Sequence, residues 1–180
     1  ASLESMAKVL NDIGIPPDSG VAIEYNIPQT GKRVDFILTG RGEDHVPKVI
    51  VVELKQWEQS QRTEKDGIVS TFLGGSQREV SHPSYQAWSY AALLEDFNEA
   101  VHTGGVELRP CAYLHNYKPD DVIAHDFYAP WIERAPIFLK REAERNKLRA
   151  FIKSHVKYGD NVDLLYKIEQ GRIRPSKMLA

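Results

Sequence analysis

The spacing of apolar and polar positions along this chain predicts where its helices and strands lie. In residues 3–13 apolar side chains recur at helical spacing, which predicts an amphipathic helix that ends at Gly14. Residues 21–27 and 33–39 are typical of strands, and the Pro-Gln-Thr-Gly stretch between them has turn chemistry. The chain is therefore expected to open with one helix followed by an antiparallel hairpin.

The most apolar stretch, residues 49–55, predicts the central strand of a sheet. It begins with Val49, Ile50, Val51 and Val52, four consecutive β-branched residues with no polar residue between them. A strand has this composition when both of its faces are buried, as in the middle of an α/β sheet.

The rest of the chain predicts further elements with less regular patterns. Residues 56–81 are expected to form a loop or hairpin, with a short strand at 68–72 and a turn at Gly74-Gly75. A longer strand is expected at 107–115 and a short one at 137–139, and helices are expected from Ser81 or His82 to about residue 100, at 141–156 and at 162–169. Residues 116–136 carry no readable pattern. With 180 residues, of which 42% are hydrophobic, the chain is long enough for one domain, a mixed sheet with helices on both faces.

Composition narrows the setting in which this domain works. No apolar run approaches the roughly 18 residues of a membrane span, and no basic-then-apolar leader opens the chain, so we expect a soluble, cytoplasmic protein without a membrane partner. A single cysteine, Cys111, cannot form an internal disulfide. Its strand-like surroundings favour a buried small hydrophobe over a nucleophile.

The net charge of −2 conceals a division between two parts of the chain. Residues 1–129 carry 11 Lys/Arg and 19 Asp/Glu, a net charge of −8, whereas residues 130–180 carry 12 and 6, a net charge of +6. The basic part could track phosphates, or it could be an ordinary solvated helix face, and the composition does not separate the two.

An acid and a lysine emerge together at the end of the central strand. Alternation places Glu53 and Lys55 on one strand face, and neither charge can be buried there without a partner. If the strand of residues 33–39 lies beside the central one, Asp35 shares a face with Arg33 and Ile37, opposite Val34, Phe36 and Leu38, and brings a second carboxylate. Two carboxylates would then converge near one lysine.

Such a group of side chains suits metal-dependent phosphodiester hydrolysis. Carboxylate oxygens favour Mg²⁺ or Mn²⁺, ions that keep several waters and accept phosphate oxygens. In this interpretation Asp35, Glu53 and the Leu54 carbonyl hold the metal, and Lys55 orients or deprotonates the attacking water. The alternative is an ordinary Glu53–Lys55 ion pair with Asp35 bonded to a turn, because an acid-x-lysine triplet is common by chance.

Several strings of this sequence resemble a known superfamily. Asp35 is followed after 17 residues by Glu53-Leu54-Lys55, and Gln86 and Tyr90 follow on a helix. This spacing resembles the P-D-(D/E)-x-K nucleases, particularly the RecB-like branch with its Q-x-x-x-Y helix. Residues 24–35 (EYNIPQTGKRVD), 52–57 (VELKQW) and 82–90 (HPSYQAWSY), together with the ending at 173–177 (IRPSK), resemble the N-terminal nuclease-like domain of bacterial and phage proteins with a C-terminal P-loop helicase.

This resemblance covers about residues 20–180 and departs from the superfamily at Val34, where the eponymous proline would stand. It implies a restriction-endonuclease-like fold, a three-layer α/β/α core with a mixed central sheet. It also implies that residues 1–180 are a single nuclease-like domain cut from a longer chain with a C-terminal helicase.

The resemblance also implies roles for further residues. Gln86 would bond the metal-bound water or the substrate, and Tyr90, one turn later, would support the same face or pack in the core. Glu24 would be an extra metal carboxylate or a partner for Arg33 or Lys32, and Arg33 would support the site.

Two weaker candidates have structural explanations of equal or greater weight. His82 would assist the metal or cap the helix that begins at Pro83. Glu4 would be a helical acid of the site or an exposed helix glutamate.

The expected function is a Mg²⁺-dependent nuclease that acts on DNA more than on RNA. The alternative is a catalytically weak module that binds nucleic acid and guides it to the attached helicase. Strand polarity, sequence specificity and pathway are not predicted by these residues.

Overall fold

The computed structural model describes residues 2–28, 30–161 and 163–171 of the chain. The helicase-like ending at residues 173–177 lies outside the described residues. Within them the helices are α1 (Ser2–Asn11), α2 (Pro83–Phe97), α3 (Glu99–Thr103), α4 (Ala129–Arg134), α5 (Glu142–His155) and α6 (Asp163–Gln170), and a 3-10 helix spans Asp126–Tyr128. The strands are β1 (Val21–Asn26), β2 (Arg33–Arg41), β3 (Pro47–Lys55), β4 (Gln61–Arg62), β5 (Ile68–Leu73), β6 (Ser76–Ser81), β7 (Glu107–Leu114) and β8 (Ile137–Phe138).

A mixed five-stranded sheet forms the centre of the molecule, in the order β1-β2-β3-β7-β8. The pairs β1/β2 and β2/β3 are antiparallel, whereas β3/β7 and β7/β8 are parallel. Every residue of β3 between its first and last is buried, because this strand has a neighbour on each edge and helices over both faces. The predicted central strand is confirmed.

Helices cover both faces of this sheet. On one face α1 and α5 pack through Met6 and Leu148 against Ile50 and its neighbours. On the other face α2, α3 and α6 pack through a second buried cluster that includes Leu94 and Val51. The prediction of an α/β protein with a mixed sheet between two helical layers is confirmed.

A second, three-stranded antiparallel sheet, in the order β4-β5-β6, was not predicted in full. The sequence predicted the strand at residues 68–72, the turn at Gly74-Gly75 and a loop or hairpin over residues 56–81. The structure forms the hairpin from β5 and β6, and it adds β4, which was not predicted. Strand β6 is polar on both sides and mostly exposed, so it has no apolar alternation and owes its conformation to pairing with β5. Val69 anchors this sheet to the main one by packing with Leu114 and Tyr128.

The helix predicted to run to about residue 100 is divided at Asn98. The Asn98 side chain accepts a hydrogen bond from the Val101 amide and donates one, over 2.7 Å, to the Ile168 carbonyl. Asn98 therefore ends α2, caps α3 and ties both to α6. The unreadable residues 116–136 contain the 3-10 helix and α4.

No helix in the described ranges is both long enough and apolar enough to cross a membrane.

Candidate active site

Glu53 and Lys55 lie at the end of β3, where the sequence placed them. Glu53 continues the alternation of Val49 and Val51, which pack on the α2 side of the sheet, and it is only 3% exposed. The Lys55 ammonium lies 3.4 Å from Oε1 of Glu53. A carboxylate and a lysine thus meet at a strand end that is almost closed to solvent.

Asp35 approaches the same point from β2. The regular pairing between β2 and β3 ends with Phe36 opposite Val52, so Asp35, the residue that precedes Phe36, lies just outside it. Beyond that point the Leu54 amide donates its hydrogen bond to Oδ2 of Asp35, over 2.8 Å. The Asp35 side chain thus accepts the hydrogen bond that a backbone carbonyl of β2 would otherwise accept. This bond holds the Asp35 carboxylate beside Glu53.

The predicted alternation of β2 is wrong at this point. Val34 packs with Ile37, on the α2 side, whereas Phe36 and Leu38 pack on the α1 side. Glu24, which the hairpin register places opposite Asp35, has a φ of 53°, a left-handed conformation that side chains seldom adopt. The irregularity in β1 and β2 coincides with Asp35, and regular alternation could not predict it.

The carboxylates of Asp35 and Glu53 share a poorly solvated space. Burial raises the pKa of Glu53 to about 8, Lys55 opposes this rise, and the charge of Asp35 and its hydrogen bond add to it. Oε2 of Glu53 is buried and has no hydrogen-bond partner within the described part of the chain. Near neutral pH this pair holds a proton unless a cation takes its place.

These oxygens fit a small divalent cation. Mg²⁺ is bound in proteins by one or two carboxylates and keeps several of its waters, and the partnerless oxygen of Glu53 is a ligand of that kind. Among the described residues no group of three or more His, Cys, Asp and Glu side chains could hold a metal. A cation at Asp35 and Glu53 would therefore complete its shell with water and substrate. The role assigned to the Leu54 carbonyl stays a prediction.

Gln86 and Tyr90 lie on α2 and face the same region. The Gln86 amide donates a 2.8 Å hydrogen bond to the Tyr90 hydroxyl. Burial raises the pKa of Tyr90, the bond from Gln86 opposes that rise, and the charges of Glu53 and Asp35 add to it. Tyr90 also packs in the buried cluster on this face, which is the core-packing alternative, and its role in supporting the site stays a prediction.

A cleft of about 740 Å³ lies beside the two carboxylates, and neither Asp35 nor Glu53 is among its lining residues. Its walls include Lys55, Gln86 and Tyr90, so the three lie on one continuous surface.

Aromatic residues and a further cation also line the cleft and were missed by sequence reasoning. They are Lys32, Trp57, Tyr85 and Trp88. The Lys55 ammonium lies 5.5 Å from the centre of the Trp57 ring. The signal was present for Trp57, two residues after Lys55, and for Tyr85 and Trp88, one helical turn apart on the helix that carries Gln86.

Glu24 and Arg33 lie together at the exposed edge of the hairpin. Their side chains are 57% and 55% exposed, and the closest charged atoms are 4.0 Å apart. This placement matches the alternative in which Glu24 is a partner for Arg33, and the metal role of Glu24 stays a prediction.

His82 is a helix cap in this structure. It is fully buried, its Nδ1 accepts a hydrogen bond from the Ser84 amide, and its Nε2 lies 2.8 Å from the Ile123 carbonyl, to which it donates. Burial lowers its pKa to about 4. Both ring nitrogens are used, which leaves neither free to assist a metal.

Other candidates have structural roles. Cys111 is completely buried, and burial raises its pKa, which confirms the interpretation as a small hydrophobe. Glu4 is exposed on α1.

The basic residues of α5 lie on the other side of the sheet from the cleft, since α5 packs with α1. Several form ion pairs: Arg145 with Glu142, Lys147 with Glu144, and Arg149 with Asp12 and Glu142.

The sequence matches no family model, and neither curated proteins nor solved structures include a match to it. The function of this chain is therefore inferred from its own residues and their geometry.

Proposed function

We propose that this chain is a metal-dependent nuclease that hydrolyses phosphodiester bonds, with DNA favoured over RNA. One observation carries the proposal: Asp35 and Glu53, whose buried Oε2 has no hydrogen-bond partner among the described residues, meet beside Lys55, which lines the cleft. A buried carboxyl with a raised pKa, such as that of Glu53, is costly, and such groups concentrate at functional sites. The proposal includes a restriction-endonuclease-like fold, which the mixed sheet and the two helical layers support.

Asp35 and Glu53 are the residues that would hold Mg²⁺ or Mn²⁺. When bound, the ion would lower the pKa of water and offset charge on the phosphate. The Leu54 amide fixes Oδ2 of Asp35 and so orients this carboxylate beside Glu53. Glu53 offers Oε2, the atom that has no other bond.

Lys55 supplies the proton-handling and charge-offsetting group. Its ammonium has three hydrogens, and Glu53 is its only ion-pair partner among the described residues. The remaining donors can hold the attacking water or a phosphate oxygen, since the lysine also lines the cleft.

Gln86 and Tyr90 position the substrate. The bond from Gln86 to Tyr90 fixes the side-chain amide, which leaves its carbonyl oxygen as an acceptor for a water or a hydroxyl. Because both residues are on one helix, they move together with the α2 wall of the cleft.

The test is cleavage of labelled single- and double-stranded DNA and RNA by the purified 180-residue chain, with Mg²⁺, with Mn²⁺ and with a chelator. We expect metal-dependent cutting that falls roughly 100-fold or more in Asp35→Asn and in Lys55→Ala. Lys167→Ala, which removes the partner of Asp163 on α6, is the matched control and should cut like the wild type.

Cutting that is unchanged by Asp35→Asn and Lys55→Ala would overturn the assignment. Binding without cutting, by this chain and by the longer protein, would favour the guide module instead. The attached helicase expected from the resemblance stays a prediction.

A further inference from the structure

A second cavity, of about 430 Å³, opens beside the cleft. It lies between the segment of residues 56–61, which follows β3, and strands β5 and β6. Trp57 and Leu73 line both the cavity and the cleft. The two spaces are therefore neighbours, with Lys55 two residues from their shared wall.

The lining of this cavity is polar but almost uncharged. Its polar members are Gln56, Gln59, Ser60, Gln61, Thr71 and Gln77, and its charged member is Glu58. The side-chain amides of Gln56, Gln59 and Gln61 make no hydrogen bond to any described residue. An amide offers a donor and an acceptor side by side, which is the arrangement that nucleobase edges present.

Hydrogen bonds hold the walls of the cavity in place. The Thr71 hydroxyl donates to the Gln59 carbonyl over 2.7 Å, and the Ser60 hydroxyl lies 2.8 Å from that of Tyr117. Tyr117 is fully buried, so the 56–61 segment is fastened to the core. The free amides are thus carried by an ordered backbone.

Phe72 provides an aromatic surface at the same place. It is 66% exposed, and its strand neighbour in register is Gln77, another lining residue. Aromatic side chains beside nucleic-acid sites stack on unpaired bases, and such stacking tolerates any base.

We propose that this cavity receives one unpaired base, and that the substrate of the chain is consequently a single strand; this inference rests on the proposed function. Phe72 stacks on the base, and the free glutamine amides contact its edge. The bases of a duplex are stacked and paired, so none could enter without being extruded. A strand held here passes the Trp57 wall and reaches Lys55.

The distribution of charge supports the same substrate. Duplex binding depends strongly on many Lys and Arg contacts to phosphates. The two cavities together are lined by only two cations among the described residues, Lys32 and Lys55. Five large aromatic groups line them as well: Trp57, Phe72, Tyr85, Trp88 and Tyr90. The lining residues therefore favour binding by base stacking over binding by phosphate neutralisation.

Binding can be tested without cutting, in a chelator, by fluorescence anisotropy. The probes are a labelled DNA strand of about 12 nucleotides, its duplex, and an RNA strand of the same sequence. We expect the wild-type chain to bind the single strands more tightly than the duplex. Phe72→Ala should weaken single-strand binding by about tenfold and leave duplex binding unchanged.

Matched variants separate stacking from a structural effect. Phe72→Leu should lose affinity as Phe72→Ala does, whereas Phe72→Trp should keep it, because only an aromatic ring stacks. Tyr166→Ala removes an aromatic residue of similar exposure, 63%, on α6 and should bind like the wild type. A loss for DNA alone or RNA alone would also support the base site and would identify the sugar that it accepts.

Full binding by Phe72→Ala, rescue by Phe72→Leu, or a duplex bound as tightly as the strand would each overturn this inference. Its failure is distinguishable from failure of the proposed function. If metal-dependent cutting and single-strand binding are both unaffected by Phe72→Ala, only the base site is contradicted. If Phe72→Ala weakens single-strand binding but the wild type cuts nothing, only the nuclease function is contradicted.

Discussion

At the scale of single residues, the strongest feature is a carboxylate that the folded chain holds in an unfavourable state. Burial makes ionised Glu53 costly, and Asp35 beside it adds repulsion. A fold gains nothing from such a pair by itself, whereas a cation bound between them relieves both effects. The Asp35–Glu53 pair is therefore expected to lower the free energy of unfolding of the metal-free chain, as is common for residues that form a binding site.

Glu53→Gln should stabilise the metal-free chain at alkaline pH. The pKa of Glu53 is about 8 in the folded chain and near 4.5 in a solvated carboxyl. Between these values the unfolded chain has released a proton that the folded chain keeps, so the free energy of unfolding falls as pH rises through this window. Urea unfolding in a chelator should show the Glu53→Gln variant to be more stable than the wild type by roughly 4 to 5 kcal/mol above pH 8 and by little near pH 4.5.

Glu79→Gln is the control for that experiment, because Glu79 is an exposed carboxylate paired with Lys65. It should change stability by under about 1 kcal/mol at either pH. Equal stability of wild type and Glu53→Gln above pH 8 would contradict the buried-pair interpretation. Mg²⁺ should stabilise the wild type and have less effect on the variant.

At the scale of elements, helix α2 joins its His82 cap to the proposed site and to the aromatic wall of the cleft. His82 begins it, Gln86 and Tyr90 face the carboxylates, and Tyr85 and Trp88 line the cleft. The orientation of four cleft residues therefore depends on how the first turn of this helix is fixed.

His82→Asn should reduce the acid sensitivity of the chain. The pKa of His82 is about 4 when folded and 6.5 when solvated. As pH falls from 6.5 to 4 the unfolded chain gains a proton that the folded chain excludes, so stability declines across that window. Comparing urea unfolding near pH 7 and pH 4.5, we expect the wild type to lose roughly 2 kcal/mol more than the variant.

Asparagine keeps a capping side chain, so the variant should retain most of its helix. His102→Asn, at the exposed end of α3, is the control and should lose as much stability in acid as the wild type does. If His82→Asn is as acid-sensitive as the wild type, the buried neutral histidine is not the cause.

The elements also show which parts of the site the sequence could predict. Strand β3 could be predicted from its own residues, because four consecutive β-branched residues followed by Glu53 and Lys55 indicate a buried strand without reference to the neighbouring strands. Strand β4 and the irregularity at Asp35 could not be predicted in this way, because each depends on a partner strand. The site residues were thus predictable, but the way Asp35 reaches them was not.

At the scale of the whole molecule, the two charged parts of the chain serve different surfaces. The cleft belongs to the acidic part, while the basic α5 lies across the sheet and neutralises much of its charge with neighbouring acids. Phosphate tracking along α5 would require the strand to pass from one face of the molecule to the other.

Lys32→Ala should therefore weaken single-strand binding several-fold, while the double change Lys153→Ala and Lys157→Ala should alter it by less than about twofold. With Lys32 and Lys55 as the phosphate contacts, the slope of log affinity against log salt should be about −1.4. Anisotropy titrations over a range of salt measure both. A slope beyond about −3, or a large effect of the Lys153 and Lys157 double change, would favour the phosphate-tracking surface.

The Leu54 amide bond to Asp35 makes one backbone position a reporter of the site. Its acceptor is the Asp35 carboxylate, which a bound cation would polarise. The other amides of a sheet donate to backbone carbonyls, which a cation at this site would affect less. The ¹H–¹⁵N resonance of Leu54 should consequently shift on metal titration, even where nothing is cleaved. Metal binding at Asp35 and Glu53 could then be measured in solution without nucleic acid, so the measurement does not require a known substrate.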